Sequence, residues 1–269
     1  MADSHFGSAY GGKPPMNYEQ YFVPVIGKPL AVDLIRTAAL QNEERVLDVA
    51  CGTGIVARLA SDHLGGTGKV AGLDPNAGML AVARASASPD ASIEWHESGA
   101  EAMPLADGAF DVVLCQMGLQ FMTDKEAALR EMRRVLDGGG RMVLNLPGPT
   151  PQVFAIMREG LVRHVGPEAA GFVDVVFSLH EPEKICALVE SAGFRDVDVH
   201  AETKALPLPP PADFLWRYVG STPLAGVLAT ADDDLRAALE RDVVEAWRGL
   251  MQNDNLIMHV RVVIVVASV

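Results

Sequence analysis

The chain has 269 residues, 49% of them hydrophobic and 21% charged, with a formal net charge of −13. That composition can bury a sizeable core, and the carboxylate excess excludes a basic stripe for a nucleic-acid backbone. Three scattered cysteines (Cys51, Cys115, Cys186) make neither a metal-binding spacing nor a disulfide framework, which fits a reducing cytoplasm.

Residues 1–16 hold Gly and Pro and no apolar run, so they are expected to be a flexible arm rather than a signal peptide. Tyr18, Tyr21, Phe22 and Val23 precede a helix over about 29–40. A buried-strand pattern (Val46, Leu47, Val49) fills Arg45–Ala50 and runs into Cys51-Gly52-Thr53-Gly54. A helix follows, with Ile55, Val56, Leu59, Ala60 and Leu64 on one face. Lys69–Leu73 is a second strand ending on Asp74, and Pro75 and Asn76 open a helix to about Ser86. Ile93–His96 and Phe110–Cys115 are further strands. Asp124 caps a helix carrying Leu129, Met132 and Leu136, and Gly138-Gly139-Gly140 is read as its stop. Arg141–Leu146 is the fifth strand. This alternation predicts a parallel sheet covered on both faces.

Regularity then weakens. Helices are expected over about 152–164 and 181–192, and a sixth strand over about 196–203. Pro207, Pro209, Pro210 and Pro211 read as a rigid connector, followed by a long helix over about 232–251. The last strand, Met258–Ala267, lies in the longest apolar stretch. That stretch is interrupted by Arg261 and falls far short of the roughly 18–20 residues of a membrane span.

The chemistry concentrates where the first strand ends. Strand, glycine turn and helix make a nucleotide cradle: missing Cβ atoms admit a ligand to the backbone, and the helix N-terminus offers N–H groups. Gly52-Thr-Gly-Ile-Val-Ala57 also fits the dinucleotide fingerprint, with Asp74 about 20 residues further on. Asp48 argues against that reading, because a carboxylate beside the turn would repel a pyrophosphate.

The run Val46-Leu47-Asp48-Val49-Ala50-Cys51-Gly52-Thr53-Gly54 resembles the first motif of class I S-adenosylmethionine-dependent methyltransferases. The likeness continues through Gly72-Leu73-Asp74, Ala100-Glu101-Ala102-Met103-Pro104, Phe110-Asp111-Val112-Val113, Glu131–Leu136 and Gly138–Arg141. This order is similar to that of the type 11, ubiquinone/menaquinone-methyltransferase-like branch. The resemblance implies an α/β fold: a Rossmann-like, seven-stranded, mostly parallel sheet with helices on both faces and a helical substrate lid. The last strand would be antiparallel. It implies a cofactor-binding core over 17–146. Residues 147–269 would complete the same domain, with lid segments 147–180 and 206–256 and the final strands.

The resemblance also implies roles. Asp48 would face the methionine amino group of S-adenosylmethionine, and Ala50, Gly52 and Gly54 would cradle the methionyl part. Asp74 would take the ribose hydroxyls, with Pro75 beside it and Met79 against the adenine. Ala100 and Glu101 would meet the adenine edge, and Gln116 would lie near the transferred methyl. Tyr18, Tyr21 and Phe22 could close a lid. The family commonly shows Gly-Asp-Ala before Glu101, whereas this chain has Ser98-Gly99-Ala100; either Glu97 or Ser98 substitutes for the absent carboxylate, or cofactor affinity is lower. His164 and His180 are candidate general bases, weighed against a plain surface role. Phe154, Met157, Phe172, Phe177, Phe214, Trp216 and Tyr218 in the lid segments suggest a small apolar or aromatic acceptor for O-, S-, N- or C-methylation. The implied enzyme is cytoplasmic, needs no metal, binds no nucleic acid and spans no membrane; a homodimer stays open. The alternatives are a non-catalytic module that binds the cofactor or its product, and an NAD(P)-dependent oxidoreductase.

Overall fold

The computed structural model describes residues 13–269. The chain enters through a short helix α1 (Lys13–Asn17), a π-helical segment (Tyr18–Gly27) and helix α2 (Lys28–Ala38). There follow β1 (Arg45–Val49), α3 (Ile55–Leu64), β2 (Lys69–Asp74), α4 (Ala77–Ser86) and β3 (Ile93–Glu97). Next come β4 (Phe110–Gln116), α5 (Lys125–Val135) and β5 (Leu136–Pro147). The remainder is α6 (Gln152–His164), α7 (Gly171–Val176), α8 (Pro182–Ser191), β6 (Arg195–Leu208), α9 (Pro211–Gly220) and α10 (Leu224–Val227). It ends with α11 (Asp233–Trp247), the two-residue β7 (Met251–Gln252) and β8 (Asn255–Ser268).

One sheet runs in the order β3-β2-β1-β4-β5-β8-β6, with β7 added beside β8. The β1, β2, β3, β4 and β5 pairings are parallel, and β8 lies antiparallel between β5 and β6. The mostly parallel sheet read from the sequence is therefore present, with β7 as a small addition. Alternate strand residues feed opposite layers. Leu47, Val49, Val113 and Leu144 meet α5 and α8, while Val46, Val112, Leu114 and Val143 meet α2 and α3. A third cluster, holding Phe154, Phe177, Phe214 and the fully buried Trp247, packs the late helices on the ends of β6 and β8. Between β1 and β4 the strand order reverses direction, and that switch point is where open α/β sheets place ligands.

Side chains fix the helix starts. Asn76, Asp124 and Asp232 accept from Met79, Ala127 and Leu235 N–H groups, caps worth about 1 kcal/mol each.

Several boundaries differ from those read in the sequence. The Gly138–Gly140 run does not stop a helix by breaking it; α5 ends at Val135 and the glycines lie within β5. Phe110 pairs with Leu136 and Val112 with Arg141, so the glycines form a bulge in the β4–β5 ladder, and Gly140 O accepts from Val269 N–H. Pro207 sits inside β6 rather than in a connector, because β6 is the sheet edge and an edge strand tolerates a missing N–H. The long late helix ends at Trp247 and gives way to a 3-10 turn, Arg248–Leu250, before β7. Of the arm expected over 1–16, residues 1–12 lie outside the described residues, and Lys13–Asn17 is helical. Among the described residues no helix is long and apolar enough to cross a membrane.

Two glycines set how closely the β3 side approaches β1 and β2. A Cβ at Gly54 would stand 2.5 Å from Trp95 Cη2, and one at Gly72 would stand 2.5 Å from Trp95 Cζ3. The indole ring is rigid, so added volume there must displace packed structure. At Gly138, by contrast, nothing among the described residues lies within 4 Å of the Cβ position. Gly72→Ala is expected to lower stability by about 1–3 kcal/mol in urea unfolding, and Gly138→Ala by less than about 1 kcal/mol. Equal midpoints for the two variants would contradict this packing.

Candidate active site

Strand β1 ends by forcing the backbone into the left-handed region. Ala50 has φ +56°, an uncommon conformation for a residue with a Cβ, and Gly52 and Gly54 follow at +54° and +81°. The loop is tied to β2: Cys51 N donates to Leu73 O at 3.0 Å. Gly52 N donates to Asp74 Oδ2 at 2.8 Å, and Asn76 N donates to Asp74 Oδ1 at 2.9 Å. Asp74 thus ends β2 with both oxygens oriented and one lone pair of each still open. Burial raises its pKa, while the two N–H bonds oppose that rise.

A cleft of about 360 Å³ opens over these strand ends. Its first end is built by Ala50, Gly52, Asp74, Pro75, Asn76 and Met79, and continues over Gly99, Ala100 and Glu101. Its far end is built by Gln116, Met117, Gln120 and Phe121 after β4, with Phe172 and Val176 of α7 and Tyr218 of α9. Tyr18 and Phe22 roof it from the π-helical segment. Their rings stack at 4.5 Å, and Tyr18 Cε1 lies 4.0 Å from where a Gly52 Cβ would be. Burial, then the nearby Asp74, Glu19 and Asp48, keeps the Tyr18 hydroxyl protonated far above neutrality. The roof is anchored by Arg58 Nη2 to Glu19 Oε1 at 2.6 Å and Asn17 Nδ2 to Gly220 O at 2.9 Å.

Two amides shape the far end. Gln116 Nε2 donates to Gly27 O at 3.0 Å, and its Oε1 accepts from Asn145 Nδ2 at 3.3 Å. Gln120 Nε2 donates to Met117 O at 2.9 Å, while its Oε1 is buried with no partner among the described residues. A buried acceptor left unpaired is costly, and a ligand donor would relieve it.

Most residues singled out in the sequence meet at this cleft: Ala50, Gly52, Asp74, Pro75, Met79, Ala100, Glu101, Gln116, Tyr18 and Phe22 all line it. Others do not. Asp48 is 1% exposed behind the turn, where its Oδ2 accepts from Ala57 N at 3.0 Å in the first turn of α3. Gly54 faces Trp95 and Ala83 rather than the cleft, so its missing Cβ serves helix–sheet packing. Tyr21 lies under the Arg217 guanidinium at 5.4 Å, outside the lining. His164 Nε2 pairs with Asp242 Oδ2 at 2.9 Å between α6 and α11, and His180 Nδ1 meets Phe177 O at 2.7 Å. Neither histidine lines the cleft, so neither is placed as a base. Ser98 bonds the Ala102 carbonyl, and neither it nor Glu97 fills the gap left at Gly99. Glu101 does: its Oε2 is 3.1 Å from where a Gly99 Cβ would stand, and its Oε1 accepts from Thr123 N at 3.1 Å. Of the lid aromatics, Phe172 and Tyr218 reach the cleft, while Phe154, Phe177 and Phe214 are core. The sequence reading missed Asn76, Gln120, Phe121, Val176 and Thr222. A second glutamine four positions past Gln116, across Gly118, was the one local signal for Gln120.

The profile of a family described as a methyltransferase domain matches residues 47–144, the span from β1 into β5. A ubiquinone/menaquinone biosynthesis C-methyltransferase of Xylella fastidiosa is 36% identical over 175 residues, covering 60% of this chain and 69% of that protein. A 2-phytyl-1,4-naphtoquinone methyltransferase of Thermosynechococcus vestitus is 34% identical over 186 residues, covering 64% of this chain and 80% of that one. The chain belongs to the type 11 branch of the class I S-adenosylmethionine-dependent methyltransferases. The methyltransferase fold extends further than the sequence match. A structure of Haemonchus contortus phosphoethanolamine N-methyltransferase 2 aligns with TM-score 0.60 at 18% identity, over 95% of this chain and 56% of that one. Family membership sets aside the nicotinamide reading, and the cofactor of this methyltransferase is S-adenosylmethionine.

The methyltransferase buries a carboxyl that costs stability when it ionises. Burial pushes Asp48 up to about 8, with the Ala57 N–H opposing and Asp74 adding to the rise. An unfolded aspartate ionises near about 3.9. Between those values the native state holds a proton that the unfolded chain has lost, so stability falls as pH rises and levels off above the folded value. Asp48→Asn retains an acceptor for Ala57 and should flatten that slope. Urea unfolding of the ligand-free protein near pH 5 and near pH 8 is expected to show the wild type losing on the order of 1–3 kcal/mol more than the variant. Parallel slopes would contradict a protonated Asp48.

Proposed function

We propose that the enzyme methylates a small, apolar, aromatic acceptor at a ring carbon made nucleophilic by a neighbouring hydroxyl. The observation that carries this reading is the contrast between the two ends of the cleft. One end presents Asp74 and Glu101; the other presents Met117, Phe121, Phe172, Val176 and Tyr218 with amides and hydroxyls as its polar groups. The quinone C-methyltransferases among the relatives point the same way.

The residues at the first end fit S-adenosylmethionine. Asp74 has one lone pair free on each oxygen for the two ribose hydroxyls. Met79 flanks the adenine, and Ala100 meets its edge through the backbone. Glu101 reaches into the space that Gly99 leaves and takes the adenine amine in place of the family carboxylate. Gln116, held on both sides by Gly27 and Asn145, borders the methionyl group. Asp48 acts at one remove, by holding the first turn of α3 and so the shape of the glycine loop. Tyr18 and Phe22 roof the bound molecule and exclude water.

When bound, S-adenosylmethionine supplies an electrophilic methyl on a sulfonium whose leaving group is a neutral thioether. The protein's part is alignment. The aromatic walls hold the acceptor ring flat, and Gln120 Oε1 accepts from the acceptor hydroxyl. The Tyr218 hydroxyl, kept protonated by burial and by its neighbour Tyr18, is a donor at the same end. In that arrangement the methyl would replace a ring proton, the proton passing to solvent, while Gln120, Tyr218 and the aromatic walls would keep the ring carbon aligned. An already electron-rich ring needs no strong base, and among the described residues the far end of the cleft has no imidazole or carboxylate in its lining.

Two substitutions separate the ends. Asp74→Asn is expected to weaken binding of S-adenosylhomocysteine by roughly 10–100-fold in isothermal titration. Gln120→Leu should leave that affinity within about twofold and raise the acceptor KM. Labelled methyl transfer over a panel of hydroquinones, phenols, thiols and amines, with products located by mass spectrometry, tests the acceptor. Carbon-methylated hydroquinones are expected; label confined to thiols or amines would overturn the reading.

A further inference from the structure

The long edge strand β6 has a use that the methyl-transfer site does not explain. It pairs with β8 along one side, and among the described residues its other side has no strand partner in the sheet. A regular run from Asp198 to Leu208 follows an irregularity at its start, where Asp196 has φ +49°. Unpaired edges invite association, and proteins blunt them with charges that repel a second strand. Here the charges have a different pattern. On one face of the run stand Asp198, His200, Glu202 and Lys204, in that order. Read against its own reverse, this series is complementary about its midpoint, Ala201.

We infer that the β6 edge is a homodimer interface, in which two copies pair antiparallel about a twofold axis through Ala201 and continue one sheet. That register sets Asp198 of each copy opposite Lys204 of the other, and His200 opposite Glu202. The other face sets Val199 opposite Thr203 and Ala201 opposite itself, all compatible with a pleated pair. Neighbouring registers are poorer. An axis through His200 opposes Asp198 with Glu202. An axis through Glu202 opposes it with itself and sets His200 against Lys204. An axis through Thr203 leaves Asp198 and His200 opposite leucines. An isologous pairing also closes on itself, so it yields a dimer rather than a fibre.

Each charged group has bonding capacity left for the second copy. Lys204 Nζ donates to Pro29 O at 3.0 Å and to Asp33, which leaves one of its three hydrogens. Asp198 uses Oδ2 on His200 Nδ1 at 2.7 Å, which leaves Oδ1 and, on a protonated imidazole, Nε2. Glu202 is exposed and makes no hydrogen bond or ion pair among the described residues. Pro207, without an N–H, marks where the available edge ends.

Sedimentation velocity on the full chain, over a range of concentrations, tests this. The wild type is expected to dimerise. Asp198→Lys places lysine opposite lysine and should weaken association roughly tenfold or more. Lys204→Asp places aspartate opposite aspartate and should do the same. An equimolar mixture of the two variants restores opposite charges across the axis and should form a heterodimer. Binding of S-adenosylhomocysteine by each variant shows that it is folded. A wild type that stays monomeric at all concentrations, or a dimer that Asp198→Lys leaves intact, would overturn the inference. So would two folded variants that fail to associate when mixed.

Discussion

The hydrogen bond from the Gly52 amide to Asp74 Oδ2, at 2.8 Å, joins the end of β1 to the end of β2. The cleft depends on it. The bond exists because Ala50 and Gly52 turn through the left-handed region, which brings an amide of the first loop across to the next strand. The same turn delivers Ala57 N to Asp48 in the first turn of α3. Two carboxylates are thereby fixed on successive strands, one facing the ligand space and one behind it. Burial opposes the ionised form of both, and backbone N–H groups oppose that penalty. Asp74, buried and held by two N–H groups, keeps bonding capacity on both oxygens and is suited to a ligand that brings hydroxyls.

The rest of the fold makes that arrangement rigid. Trp95 fills the space that Gly54 and Gly72 leave, which locks α3, β2 and β3 together beneath the loop. The late helices form their own apolar cluster on β6 and β8, so the residues they lend to the cleft are carried by a packed unit. Gln116 links the systems: it lines the cleft, holds the Gly27 carbonyl at the end of the roof segment and meets Asn145 on β5. The family profile ends within β5, before the late helices begin.

The first half of the chain was legible because parallel strands buried on both faces leave continuous apolar runs, and because α3, α4 and α5 start at recognisable loops or caps. The errors have physical causes. Three glycines after a helix read locally as a stop, yet Leu136 and Arg141 on either side of them pair with β4 and make the run a bulge in the ladder. Pro207 reads as a breaker, yet an edge strand accommodates it. Asp48 on β1 and Gly54 in the loop after it belong to one motif but face different neighbours, Ala57 N and Trp95, which the motif's spacing does not reveal. Phe121, Val176 and Thr222 come together only through long-range packing, so no local pattern marked them. Glu101 was legible as a residue of this loop, but its approach to the space beside Gly99 was not, because it depends on how the loop folds back and on the Thr123 N–H that holds its Oε1.

A crystal structure of the enzyme with S-adenosylhomocysteine tests the central claim most directly. The account predicts the ribose hydroxyls on the two open lone pairs of Asp74, the adenine amine at Glu101 and the sulfur pointing past Gln116 toward the ring-lined end, with Asp48 still on Ala57 and out of contact. A product molecule that contacts Asp48 directly and leaves Asp74 with no ligand hydroxyl would contradict it.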